Sequence, residues 1–257
     1  MDINNFSRYS SGDLESLIEI SPNAEFELCR HDGIKYIKGH NVLRRPDDFA
    51  EFLSKFPAED RNISLQRNQE TQIDSSAPGF QQYLKENYFA KLNQKLFKVG
   101  YQMKLHRYPI QRVKFDNFTN CCYPGMLAFQ KNYLPHTDRF GIAANLYLTD
   151  PGTKTSTSFY RIKCSSGNVY HNEFELSQAP KEDALELKAR YEDEGAKASW
   201  EPWVFFRGND FYDFYYEIPA EYNSMSMYRG NAWHSICYDA SPESKIRYSF
   251  VTAMFAE

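Results

Sequence analysis

The sequence has no surplus of positive charge, no long apolar run and no cysteine framework, and each absence removes a class of function. Lys and Arg number 30 against 34 Asp and Glu in 257 residues, a formal net charge of −4. Phosphate recognition needs a basic surplus or stripe, so nucleic acid is not an expected partner. No stretch approaches the ~20 consecutive apolar residues that span a bilayer, and Met1 to Ser11 lack the charged-then-apolar profile of a signal peptide. A soluble, cytoplasmic protein without a membrane partner is the expectation. The five cysteines, Cys29, Cys121, Cys122, Cys164 and Cys237, are odd in number and show no paired spacing, which argues against a disulfide scaffold. Adjacent Cys121 and Cys122 read as strand residues facing opposite ways rather than as a redox pair.

Aromatic residues are abundant. With 19 Tyr, 20 Phe and 3 Trp they make up 16% of the chain, a bias that suits strands and wide pockets better than helical bundles. Two short strands are expected around Asp32-Gly33, a dipeptide favoured in hairpin turns. A helix should follow the acidic pair Asp47 and Asp48, and a second should run from Phe80 to about Phe97. From Tyr101 onward, strand-like runs recur with turn residues between them: QMKLHRY, MLAFQ, GIAANLYLT, STSFYRI, WVFFR, FYDFYYEIP, SMSMYRG and RYSFVTAMF. One charged, periodic stretch at about 177–200 interrupts them and reads as a helical insertion with a solvated face, suited to a mobile flap over a site. The chain thus divides into an N-terminal α/β flank at 1–100, packing on the core, and a mainly β core at 101–257. Many short antiparallel strands with flanking helices predict a jelly-roll, cupin-like barrel, which commonly holds a site in its mouth.

The histidines carry the chemistry. In LPHTDRF, His136 and Asp138 are two residues apart, so on an extended chain both side chains share a face and can meet one metal ion. His234, in MYRGNAWHS, follows a turn-like Arg229-Gly230-Asn231 and supplies a third ligand. Two His and one carboxylate on one side of a metal leave positions open, the arrangement that suits non-haem Fe(II) handling oxygen. Further on, Arg247 and Ser249 fall on one strand face, where a guanidinium fork beside a hydroxyl makes a receptor for a carboxylate. A rival metal pair, His171-Asn172-Glu173, has the same spacing but runs into the charged insertion. Arg139, Arg161 and Arg229 are candidate clamps for a substrate carboxylate, although each is more commonly a solvated residue. Trp203, Phe205 and Phe206 read as core.

The order His136-x-Asp138, distal His234 and Arg247-x-Ser249 in a strand-rich C-terminal half resembles the Fe(II)/2-oxoglutarate-dependent oxygenases, near the prolyl hydroxylase-like branch. NLYLTD is similar to that superfamily's strand ending in a Tyr-Leu pair, and GTKTSTSFYR to its Gly-Gly-Thr-x-Phe turn and strand, with an insertion and loss of the second Gly. The likeness covers roughly residues 101 to 257. It implies a double-stranded β-helix core, Fe(II) bound by His136, Asp138 and His234, and 2-oxoglutarate bound through Arg247 with help from Tyr147 and Ser249. It further implies dioxygen as co-substrate and hydroxylation of a small molecule or a peptidyl residue. The alternative is a non-catalytic cupin-like binding protein. The superfamily's halogenases replace the carboxylate ligand with Gly or Ala, so Asp138 argues against that branch.

Overall fold

Asp32 and Gly33 both adopt positive φ, 39° and 88°, and close the first hairpin between β1 (Glu25–His31) and β2 (Ile34–His40). The computed structural model describes residues 16–54, 59–60, 67–68, 83–100, 113–122, 135–138, 141–148, 152, 155–198, 208–238 and 247–256. After α1 (Pro46–Ser54) come a two-residue ladder, β3 (Glu59–Asp60) with β4 (Arg67–Asn68), a π-helical turn (Leu84–Tyr88) and α2 (Phe89–Lys98). Next in sequence are β5 (Val113–Cys122), β6 (Ile142–Tyr147), β7 (Thr155–Lys163), β8 (Val169–Tyr170), α3 (Glu173–Ser177) and α4 (Lys181–Ala198). The last four strands are β9 (Tyr212–Pro219), β10 (Ser224–Tyr228), β11 (His234–Tyr238) and β12 (Arg247–Ala256). The strands expected at 102–108, 126–130 and 203–207 lie outside the described residues.

Apart from the β3–β4 ladder, the described strands form two facing antiparallel sheets. The larger runs β1-β2-β10-β6-β12-β5. In the smaller, β7 is central: Phe159 pairs with Tyr216 of β9 on one edge and with His234 of β11 on the other, and β8 continues the β11 edge. From β6 to β12 the chain passes from the large sheet to the small one and back, twice, while each sheet keeps antiparallel neighbours. That is the double-stranded β-helix, or jelly roll, and the chain is mainly β with flanking helices. The β1–β2 hairpin extends the large sheet through β10, where Met227 is paired with Ile37.

Strand alternation separates two environments. On the outer face of the large sheet, Ile37, Ala144, Leu146, Leu148, Met225, Met227, Phe250 and Met254 are buried against Phe49, Phe52 and Leu53 of α1 and Leu92 and Leu96 of α2. Burying each large side chain of this kind contributes roughly 1.5–3 kcal/mol, which holds both helices to the sheet. The inner face is different. It carries Asn145 and Tyr147 on β6, Ser226 on β10 and Ser249 on β12, all buried. The Tyr147 hydroxyl reaches Thr157 Oγ1 of β7 at 2.6 Å and Ser226 Oγ at 2.8 Å, so the interior between the sheets is lined with hydroxyls.

The insertion is not a free flap. Leu176, Ala179 and Leu187 pack on Tyr160, Ile162, Cys164, Tyr170, Phe211, Tyr212 and Trp233, the outer face of the small sheet. Asp183 is buried and accepts hydrogen bonds from Tyr170 Oη at 2.5 Å and Asn168 Nδ2 at 2.9 Å, while Glu186 accepts from the Ser165 amide and hydroxyl. Two of the acids that composition assigns to a solvated face therefore clasp α4 to the β7–β8 turn. Charge counting misses them because their partners lie 13 to 21 residues away.

Candidate metal centre

His136 lies on no regular strand; it makes an isolated antiparallel bridge with His234, the first residue of β11. The two residues exchange both backbone hydrogen bonds at 2.9 Å, and the Asp138 amide donates to the Gly230 carbonyl at 2.7 Å. This short pairing aims three side chains at one point. His234 Nε2 is 3.0 Å from Asp138 Oδ2, His136 Nε2 is 3.8 Å from Asp138 Oδ1, and the imidazole centroids are 4.8 Å apart. One donor atom from each of the three lies within 4.8 Å of the others.

The geometry fits a metal ion. Three ligands on one octahedral face, each about 2.1 Å from a metal, stand about 3 Å from one another. The His234–Asp138 separation already has that value, and His136 is less than an ångström beyond it. His234 Nδ1 donates to the Ala232 carbonyl at 2.9 Å, which fixes the tautomer and leaves the Nε2 lone pair for coordination. The ring is also held in place: Tyr228 packs its edge at 4.9 Å, and Phe159, T-shaped against Tyr228, lies 6.4 Å away. The Tyr228 hydroxyl accepts from Asn145 Nδ2 at 3.1 Å.

Electrostatics favour a cation here. Burial pushes the Asp138 carboxyl up, but the charge and hydrogen bond of His234 and the charge of His136 outweigh it and hold the group below its ordinary range. Burial pushes His234 down, yet the Asp138 carboxylate, its hydrogen bond and the Ala232 carbonyl lift it above its ordinary value. The two shifts agree: at neutral pH this carboxylate is ionised and draws positive charge toward itself.

The other expected residues fall into distinct groups. Tyr147 and Ser249 are paired across β6 and β12, both fully buried on the polar inner face. Arg247 heads β12 opposite Cys122, and its side chain lies outside the described residues, as do Arg139, Trp203, Phe205 and Phe206. Arg229 is exposed. The Arg161 guanidinium meets Asp213 at 2.5 Å and Asp32 at 2.9 Å, so its charge is already answered. The rival pair does not converge: Asn172 caps α3, sending Glu173 onto the helix, where it accepts from Thr137 at 3.4 Å, while His171 pairs with Glu175 at 3.2 Å. Sequence inspection missed Phe159, Tyr228 and Ala232, whose roles arise only through cross-strand register. A second cluster, Cys164 with Asp183 and Glu186, also brings ligand-type atoms together, but both carboxylates already serve the α4 clasp.

Residues 63–245 match a family of unknown function, DUF6445. No curated protein matches the chain. Among solved structures the chain is similar to the non-haem alpha-ketoglutarate-dependent epimerase SnoN from nogalamycin biosynthesis, at 12% identity and TM-score 0.49, covering 95% of this chain and 84% of that one. It is similar to HygX from Streptomyces hygroscopicus with nickel and 2-oxoglutarate bound, at 10% identity and TM-score 0.44, covering 82% and 78%. A Pseudomonas putida prolyl-4-hydroxylase is similar at 11% identity and TM-score 0.36, covering 80% of each chain.

Proposed function

We propose that this chain, which belongs to the DUF6445 family of unknown function, is an Fe(II)- and 2-oxoglutarate-dependent dioxygenase that hydroxylates a small molecule, such as an amino acid or biosynthetic intermediate, or a peptidyl residue. The observation that carries the proposal is the convergence of His136, Asp138 and His234 beside a polar barrel interior. These three would hold Fe(II), and three coordination positions would remain for co-substrates. With 2-oxoglutarate and dioxygen such a centre supplies one oxygen atom to a substrate C–H bond and the other to succinate, with release of carbon dioxide.

The chain's own groups have separable tasks in this scheme. His136, Asp138 and His234 fix the metal, and Ala232 fixes the orientation of His234 through Nδ1. Arg247, two residues before Ser249 on β12, is the proposed fork for the distal carboxylate of 2-oxoglutarate, assisted by Tyr147 and Ser249. Buried hydroxyls favour a polar occupant, because an apolar core at that place would be more stable than one lined with Thr157, Ser226 and Ser249. Phe159 and Tyr228 exclude water from one side of His234.

The test is release of labelled carbon dioxide from 2-oxoglutarate carrying the label in its 1-carboxylate. Release that needs added Fe(II) and oxygen and disappears in His234→Ala supports the dioxygenase. Tight binding of 2-oxoglutarate without any release would instead identify a binding protein.

A further inference from the structure

Along β7 the inward positions are Thr157, Phe159 and Arg161, and they order the interior in depth. Thr157 belongs to the hydroxyl-lined end with Tyr147. Phe159 is level with the metal centre, opposite His234. Arg161 is one further step of about 6–7 Å along the strand, on the other side of that centre from the hydroxyls. At the Phe159 row the pairing with β9 breaks: Phe159 faces Tyr216, whereas Tyr160 faces Phe214, so Tyr215 is the extra residue of a β-bulge. Consecutive residues of a regular strand face opposite ways, yet Tyr215 and Tyr216 both pack on the inter-sheet cluster of Tyr36, Phe159 and Tyr228. Bulges recur beside active sites because they re-aim a side chain in this way.

The surroundings of Tyr215 are made of donors, rings and paired charge. Its ring lies 5.0 Å from the Arg161 guanidinium, 6.1 Å from the His171 ring and 6.3 Å from that of His31. Arg161 and Lys163 are answered by Asp32 and Asp213, and Glu175, a third carboxylate near Tyr215, pairs with His171, so neither Arg161 nor Lys163 is left for an anionic ligand. The Tyr215 hydroxyl, in contrast, is buried and has no hydrogen-bond partner among the described residues. A fold ordinarily satisfies such a group, because leaving it unpaired is destabilising. Burial, with Asp32 nearby, pushes the phenol's ionisation up, so it stays a neutral O–H able to donate or accept.

We propose that Tyr215 is a specificity-determining residue whose hydroxyl hydrogen-bonds an uncharged oxygen group, a hydroxyl or carbonyl, on a small-molecule substrate seated at the Arg161 side of the metal centre. The proposal rests on the dioxygenase function for its link to catalysis, but its test uses binding alone. Thermal melts of the wild-type protein and of Tyr215→Phe are compared, without ligand and with the neutral probes myo-inositol, methyl glucoside and catechol and the charged probes glucuronate and glucosamine. Without ligand, Tyr215→Phe should melt no lower than wild type, since the oxygen removed has no partner among the described residues. At least one neutral probe should raise the wild-type melting temperature more than either charged probe does, and Tyr215→Phe should bind that probe tenfold or more weakly. A lower melting temperature for unliganded Tyr215→Phe would show that the hydroxyl is satisfied structurally and overturns the proposal. Response to the charged probes alone, to no probe, or equally in both proteins overturns it too. Failure of the dioxygenase function would appear separately, as absence of Fe(II)-dependent carbon dioxide release from the wild-type enzyme.

Discussion

Replacing Tyr147 with Phe removes one oxygen from the place where the two sheets meet, and the consequences can be worked from its bonds to Thr157 and Ser226. Thr157 Oγ1 at 2.6 Å and Ser226 Oγ at 2.8 Å both lose a partner, and all three groups are buried. Each buried hydroxyl that loses its partner costs about 1–2 kcal/mol, so for two of them a loss of about 2–4 kcal/mol is expected. For a chain of this size that lowers Tm by roughly 4–16 °C. A second effect bears on the co-substrate. Thr157 and Ser226 can both donate to the Tyr147 oxygen, so the phenol can turn its own proton to an acceptor-only carboxylate when one is bound. Loss of a hydrogen bond to a charged group, at about 1.5–3 kcal/mol, weakens 2-oxoglutarate binding by roughly 10- to 150-fold. Anaerobic titration of the Fe(II) protein with 2-oxoglutarate, followed by the metal-to-ligand absorption band, measures it. If Tm falls while 2-oxoglutarate affinity stays unchanged, Tyr147 is only a structural tie and its assignment to the co-substrate is refuted.

Three further outcomes are expected. His136→Ala should lose its stoichiometric iron, measured by metal analysis after desalting, whereas His171→Ala should keep it; the reverse result would reassign the centre. Arg247→Ala should weaken 2-oxoglutarate by far more than Arg247→Lys does, since loss of a charge-assisted pair costs roughly 2–5 kcal/mol and Lys retains the charge without the fork; equal affinity in all three proteins contradicts the role given to Arg247. The pH dependence of the metal-free protein should follow the His234–Asp138 pair. The raised His234 contributes stability fully present below its unfolded pKa of about 6.5 and lost as pH rises through its higher folded value, and the lowered Asp138 contributes stability present above about 3.9 and lost as pH falls through its folded value. Metal binding needs the unprotonated Nε2, so iron affinity should rise over the same range in which the metal-free protein loses stability. Chemical denaturation and metal titration across pH check both limbs, and parallel rather than opposed trends at the alkaline end would contradict the pairing.

Much of the architecture was legible because it is written in local periodicity. Asp32-Gly33 marked the first hairpin, the acidic start of α1 marked a helix, and GIAANLYLT, STSFYRI, FYDFYYEIP, SMSMYRG and RYSFVTAMF gave β6, β7, β9, β10 and β12. The two-residue spacing of His136 and Asp138 brought them to one side as expected, although the segment is a single bridge and not a full strand. What was not legible depends on pairing across long separations. The bulge at Tyr215 follows from the register of β9 against β7, 57 positions apart in the pair Phe159–Tyr216, and no local pattern in FYDFYYEIP announces it. Asp183 looks like one more solvated acid until Tyr170 and Asn168 close over it. The packing of Phe159 and Tyr228 around His234 likewise exists only once three strands from two sheets are assembled.

The most direct measurement is anomalous diffraction at the iron edge from crystals grown anaerobically with Fe(II) and 2-oxoglutarate. One iron peak is predicted within bonding distance of His136 Nε2, an Asp138 carboxylate oxygen and His234 Nε2, with 2-oxoglutarate density joined to it and running toward Tyr147, Ser249 and Arg247. Iron at Cys164, Asp183 and Glu186, or no ordered iron at all under saturating Fe(II), would contradict the account.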